Sequence, residues 1–63
     1  MNRMLDNFIN GNLTDAKEQA KRFGIRRIVD ALREDYGYSQ NKAFMTACYL
    51  KGQATFQEAC DAV

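Results

Sequence analysis

Four glycines in a chain without proline constrain the fold more than any other feature of the sequence. Gly11, Gly24, Gly37 and Gly52 lie 13, 13 and 15 residues apart, and each follows a stretch of good helix formers. A glycine just past a helix end adopts the left-handed conformation that closes the last turn at little steric cost. Each glycine is therefore a predicted terminator of a helix. The segments between them share no residue pattern, so we infer separate helices and not an internal repeat.

Apolar residues recur at helical spacing inside these segments and predict five short helices. Hydroxyl side chains that can accept hydrogen bonds from free amides mark three helix starts, at Thr14, Ser39 and Thr55, and Glu58 completes a capping box with Thr55. The predicted helices cover about residues 3–10, 14–23, 25–36, 40–51 and 55–63.

The apolar stripes of the second and third predicted helices do not line up across Gly24. One stripe centres near roughly 180° and the other near roughly 330° on a common helical wheel, so a single continuous helix would carry two opposed apolar faces. The sequence therefore predicts that the chain turns at Gly24 and that the two helices cross at a large angle.

Length and composition predict one small domain over residues 1–63, with an all-α fold in which four to five short helices form a compact bundle. Residues of the apolar class make up 46% of the chain and charged residues 27%, which is the balance of a folded globular domain. No apolar stretch approaches the roughly 20 residues of a membrane span, and the first residues lack the apolar core of a signal peptide. We therefore expect no membrane association and a cytoplasmic location.

The residue types present exclude several chemistries. Histidine is absent, and the two cysteines, Cys48 and Cys60, are too few to complete a zinc site. We expect both cysteines to be reduced, buried packing residues. Glu58 and Asp61 share a helix face, where a solvated acidic surface is the simpler interpretation. No glycine-rich loop suited to phosphate is present. The sequence therefore predicts a protein that is not an enzyme and that has no metal and no cofactor.

A basic segment surrounds Gly24, although the net charge of the whole chain is only +1. Two interpretations fit it. In the first, the segment is a solvated face of cations that includes Lys17. Glu18 then pairs with Arg22, and Arg26 pairs with Asp30. In the second, the cations contact the phosphates of a nucleic acid. The candidate nucleic-acid residues are Lys21, Arg22, Arg26 and Arg27.

The spacing of Ala20 and Gly24 matches that of helix-turn-helix DNA readers, which place an alanine four residues before the turn glycine. Those readers also need an apolar anchor about six residues after the glycine, where this chain has Asp30. A helix-turn-helix-like regulator is therefore the alternative function and not the first.

The stretch AFMTACYL makes the fourth predicted helix apolar nearly all round. We expect Ala43, Ala47 and Leu50 to face the core, while Met45 and Tyr49 lie on the opposite side. Either another helix of the fold covers these two side chains or a partner does. The candidate partner-binding residues are Met45 and Tyr49, with Arg26 and Arg27 as a charged rim.

The segments NGNLTDAKEQAKRF, GYSQNKA and YLKGQATFQEACDA together resemble small helical proteins carried by bacterial phages, prophages and plasmids. The resemblance implies a setting and no active site. In that setting, small proteins that are not enzymes often bind one host macromolecule and change its work. We therefore expect a binding module whose partner is a host protein or a second copy of the chain, as a homodimer.

Overall fold

The computed structural model describes residues 2–63, so Met1, the first residue of the predicted domain, lies outside the described part. The described residues form five α-helices and no strand. The predicted all-α class is confirmed. The helices are α1 (Asn2–Ile9), α2 (Leu13–Ala20), α3 (Ile25–Tyr36), α4 (Gln40–Leu50) and α5 (Phe56–Asp61).

Two of the three predicted hydroxyl caps are present. The Oγ of Ser39 accepts a hydrogen bond from the backbone N–H of Lys42 at 3.1 Å. At the start of α5, Thr55 and Glu58 form the complete capping box, in which each side chain accepts from the backbone N–H of the other residue. These bonds use amides that the first turn of a helix leaves without a partner.

The prediction that Thr14 caps α2 is wrong. Asn12 occupies that position and makes no side-chain cap, and α2 begins one residue before Thr14. The turn after α1 explains the shift. The N–H of Asn12 donates to the carbonyl of Asn7 at 2.8 Å and that of Gly11 to the carbonyl of Phe8 at 3.2 Å, which is the Schellman pattern. The chain leaves that turn already placed to begin α2.

Gly24 does not end α2, which contradicts the prediction. Gly11, Gly37 and Gly52 have positive φ and follow helix ends as expected, whereas Gly24 has φ −76° and ψ 159° and is the N-cap residue of α3. The last turn of α2 instead tightens through three successive hydrogen bonds from the amides of residues 21–23 to carbonyls three residues earlier. The predicted break between the two helices is nevertheless present, four residues long.

Helix α4 is the centre of the molecule. It packs against α2, α3 and α5, while α1 packs against α2. Ala43, Ala47 and Leu50 are buried as predicted. All five helices contribute to one core, whose largest fully buried side chains are Met4, Leu5, Ile28, Leu32 and Thr46. Because three helices pack on α4, most of its apolar side chains are buried in the core of the fold.

Lys51 joins the end of α4 to the end of α2. Its ammonium donates to the backbone carbonyls of Ala20 at 3.1 Å and Phe23 at 2.9 Å. The last carbonyls of a helix lack partners within the helix and carry its partial negative charge, so a cation there is favourable. We refer to this set of contacts as the Lys51 bridge. It fixes the position of the turn between α2 and α3 on the central helix.

Candidate functional site

Tyr49 is a core residue, which contradicts its candidacy as a partner-binding residue. Its side chain is only 5% exposed. The ring packs between Phe8, at 6.4 Å between centroids, and Phe56, at 5.4 Å in an edge-to-face arrangement. The ammonium of Lys17 lies 4.4 Å from the centroid of the same ring. The first, second and last helices therefore cover Tyr49, so the alternative in which other helices of the fold cover this side chain is the correct one.

The other three predicted contact residues have more accessible positions. Met45 is half-buried on α4, while Arg26 and Arg27 are exposed on the first turn of α3. The face of α4 that remains open carries Phe44, at 46% exposure. A partner contact at Met45, Arg26 or Arg27 stays a prediction, and Tyr49 no longer belongs to that set.

An apolar groove lies between the end of α1, α4 and α5, and we name it the α1–α4–α5 groove. It has a volume of about 320 Å³. Two half-exposed side chains contribute to it, Ile9 at 50% and Phe56 at 46% exposure. The remaining lining residues are Phe8, Gly11, Leu13, Tyr38, Lys42, Thr46, Ala59 and Cys60.

Lys42 is the one charged residue in the lining of this groove. Its ammonium lies 5.6 Å from the centroid of the Tyr38 ring, a cation–π distance that holds the charge beside the groove. The groove therefore combines apolar walls with a single positive charge. Phe56, Ala59 and Cys60 recur at a spacing that is typical of the inward face of a helix, so the sequence does not point to this groove.

Cys60 is exposed and lines the same groove, so the prediction that both cysteines are buried is wrong for this residue. Cys48 on α4 is buried as expected. The difference follows from the length of α5, which has six residues and buries only Ala59. A helix that packs along so narrow a strip leaves the neighbouring positions open to solvent.

The predicted basic segment forms an exposed surface that we name the basic corner, and it consists of Lys17, Lys21, Arg22, Arg26 and Arg27. Within residues 2–63 its single ion pair joins Lys21 to Glu18, with 3.0 Å between nitrogen and oxygen. The predicted pairs from Glu18 to Arg22 and from Arg26 to Asp30 are not formed. The guanidinium of Arg27 instead lies 5.5 Å from the ring centroid of Phe23.

The helices on either side of the basic corner differ in packing from a helix-turn-helix pair. A four-residue turn joins α2 to α3, as in that motif. However, α3 packs mainly on α4, and its contact with α2 is slight. The exposed positions of α3 beyond its first turn also include Asp30, Glu34 and Asp35. Against one exposed cation there, Arg33, these three carboxylates would repel phosphates along the part of α3 beyond its first turn.

Two further observations concern the described residues. Residues 2–63 contain no group of three or more histidine, cysteine or acidic side chains arranged to hold a metal ion. In the same part of the chain, every helix is too short or too polar to cross a bilayer. Comparison of the chain with protein-family models, with curated proteins and with solved structures found no match.

Proposed function

We propose that this protein is a binding module without enzymatic activity and that its partner is another protein. The observation that carries the proposal is the α1–α4–α5 groove. The core of the molecule is complete without it, because the side chains that fill the interior are already covered. Ile9 and Phe56 nevertheless keep about half of their surface open at its edges.

The lining of the groove indicates the chemistry of the partner. Apolar walls of this size suit a few large apolar side chains on one face of a helix, and each of these contributes roughly 1.5–3 kcal/mol when fully buried. Lys42 at the edge favours a carboxylate at a neighbouring position of the partner helix. The proposed partner segment is therefore an amphipathic helix with an acidic residue beside its apolar stripe. The resemblance to phage and plasmid proteins supports a host protein as its source.

Phe56 and Phe44 provide a matched pair for the test. Both are 46% exposed, but Phe56 lines the groove and Phe44 lies on the open face of α4 away from it. Wild type, Phe56→Ser and Phe44→Ser are immobilised and used to capture proteins from a bacterial lysate. We expect one captured protein to be retained by wild type and Phe44→Ser and lost with Phe56→Ser.

Circular dichroism must show that each variant still folds, because Phe56 also contacts Tyr49. Lys42→Glu provides a second variant that leaves the core intact, and it should weaken capture of the same protein by reversing the charge. Equal capture by all four proteins would contradict the groove as the binding site. Sedimentation that depends on protein concentration, and that Phe56→Ser abolishes, would identify a second copy of the chain as the occupant.

A second candidate function is nucleic-acid binding, and the basic corner favours it. Arg22, Arg26 and Arg27 are exposed and have no ion pair within the described residues. Guanidinium groups with free donors suit phosphate oxygens, which they bind with two parallel hydrogen bonds. Anisotropy of a labelled duplex tests this function, since phosphate binding weakens steeply as salt rises.

A further inference from the structure

Most of the positive charge of this protein lies at or near the turn between α2 and α3. Seven of the nine lysines and arginines of the chain lie on the basic corner or beside it. Besides the five residues of the corner these are Arg3 and Lys51. Four of the eight acidic residues lie near them on the same helices: Asp6 three residues after Arg3, Asp30 four residues after Arg26, and Asp15 and Glu18 on α2, which line a cleft with Arg3. A nearly neutral chain thus carries a local positive surface, which its net charge does not reveal.

Two shallow clefts bring these cations together across the end of α2. Arg3 and Arg22 line one cleft of about 170 Å³, together with Phe23. Lys17, Lys21 and Lys51 line another of about 220 Å³. Lys51, which lines the second cleft, donates to the carbonyl of Phe23 in the turn between α2 and α3. The guanidinium of Arg27 on α3 lies against the ring of the same Phe23. The cations therefore converge on one element from α1, α2, α3 and α4.

The first turn of α3 adds amides to this surface. Its N-cap residue, Gly24, has no side chain to accept hydrogen bonds from them, and the first turn contains no acidic residue. Free amides and the positive end of a 12-residue helix therefore lie beside Arg26 and Arg27. Anionic oxygens with several lone pairs, as in phosphates, match this combination of amides and guanidinium groups.

Two features of the same surface oppose the reading of bases. Phe23 is the aromatic residue at the turn, and it is half-buried beside Arg27. It therefore offers no open ring on which the bases of a single strand could stack. The carboxylates of Asp30, Glu34 and Asp35 oppose the insertion of α3 into a major groove. The binding mode that fits these features is contact with the outer phosphates of a duplex.

We propose that the basic corner, extended by Arg3, binds the sugar-phosphate backbone of double-stranded nucleic acid without sequence preference. This inference rests on the second candidate function and replaces its helix-turn-helix version. Arg22 and Arg26 are assigned the phosphate contacts, because among the residues of the basic corner these two have neither an ion pair nor a cation–π contact within residues 2–63. Lys51 positions the turn and is not assigned a phosphate.

Fluorescence anisotropy with two labelled duplexes of equal length and unrelated sequence tests the proposal. We expect dissociation constants that agree within about two-fold, and a linear fall of the logarithm of the binding constant with the logarithm of salt concentration. Arg22→Gln and Arg26→Gln should each weaken binding by about two- to ten-fold at low salt and reduce the magnitude of the salt slope by about 0.9. Arg33→Gln is the matched control, because Arg33 is exposed on α3 outside the corner. It should change neither quantity.

The outcomes separate this inference from the function on which it rests. No binding of either duplex at low salt would overturn both. Duplex binding that Arg22→Gln and Arg26→Gln leave at the wild-type level would overturn the assigned surface and keep the function. A preference above about ten-fold for one duplex would indicate base readout and overturn the backbone mode. Polyglutamate that competes as well as unlabelled duplex at equal charge would indicate an acidic protein as the ligand and overturn the proposal.

Discussion

Single residues decide how the helices of this protein are held together, and Lys51 is the clearest case. A lysine after the apolar run of α4 reads from sequence as an ordinary solvated charge. In the fold its ammonium is part-buried and donates to two carbonyls some 30 positions earlier in the chain, Ala20 and Phe23. No sequence pattern signals such a contact, because it depends on how α2 and α4 pack.

Lys51→Met should lower the free energy of unfolding by about 1–3 kcal/mol. The substitution keeps the apolar stem and removes the donor, so the carbonyl of Phe23 loses its partner in a part-buried site. Lys21→Met is the control, since it removes one positive charge from an exposed ion pair worth at most about 1 kcal/mol. Urea unfolding followed by circular dichroism measures both, and equal losses would contradict the role of the Lys51 bridge.

Tyr36 should give the folded protein a dependence on alkaline pH. Partial desolvation of its ring and then the negative charge of Asp6, to which its hydroxyl donates at 3.4 Å, raise the pKa of Tyr36 above its ordinary value. The folded state therefore favours the neutral phenol. Its contribution to stability is complete below about pH 10 and is lost as pH rises through the raised pKa.

Ultraviolet titration of the tyrosines tests this expectation by comparing wild type with Tyr36→Phe. The difference between the two curves should show a midpoint above that of free tyrosine. A midpoint at or below the ordinary value would mean that Asp6 and burial do not act on this hydroxyl.

At the scale of the helices, the sequence predicted most of what the structure contains. The bounds of α3 agree with those predicted, and the caps at Ser39 and Thr55 follow from local hydrogen bonding that sequence spacing reveals. The errors at Thr14 and Gly24 share a cause. At both places the path of the chain is set by the preceding turn, whose hydrogen bonds involve backbone groups and leave no mark in the side chains.

Serine at Gly24 and at Gly37 should have opposite effects on stability. Gly24 has the extended conformation of an N-cap with open space around it, so a serine hydroxyl there could accept from the first turn of α3 and stabilise by a few tenths of a kcal/mol. Gly37 has φ 68°, where a side chain costs about 1–2 kcal/mol. Thermal unfolding of Gly24→Ser and Gly37→Ser measures the contrast. Destabilisation of the same size by both would show that the two glycines do not differ in role.

The whole molecule exposes no more surface than a folded monomer of its size. Its accessible surface is 4038 Å², close to the roughly 4100 Å² that a folded monomer of 7.2 kDa exposes. Its dimensions of 24 × 22 × 21 Å are nearly equal in all directions. The sequence left open whether another helix or a partner covers Tyr49, because helical spacing does not show how short helices pack on one another, and the structure decides for the fold itself. Three helices cover this ring.

Tyr49→Ala should therefore remove a large part or all of the free energy of unfolding, whereas Phe44→Ala should not. Truncating a large buried ring costs about 3–5 kcal/mol, against a total stability of about 3–9 kcal/mol for a domain of this length. Phe44 is half-exposed and has far less packing to lose. Circular dichroism at 25 °C compares the two variants. A Tyr49→Ala protein that keeps the wild-type spectrum and melting temperature would contradict the central position of this ring.

The unequal burial of the two cysteines supplies a chemical reporter within the native sequence. The thiol of Cys60 opens onto the groove, while that of Cys48 is enclosed in the central helix. Alkylation at Cys48 requires the fold to open, so its rate records global or local unfolding. Alkylation at Cys60 requires only access to the groove, so a molecule bound in the groove slows alkylation of Cys60. The same molecule does not raise the alkylation rate of Cys48. One time course of alkylation, read by mass spectrometry, thus measures occupancy of the groove and integrity of the fold in the same sample.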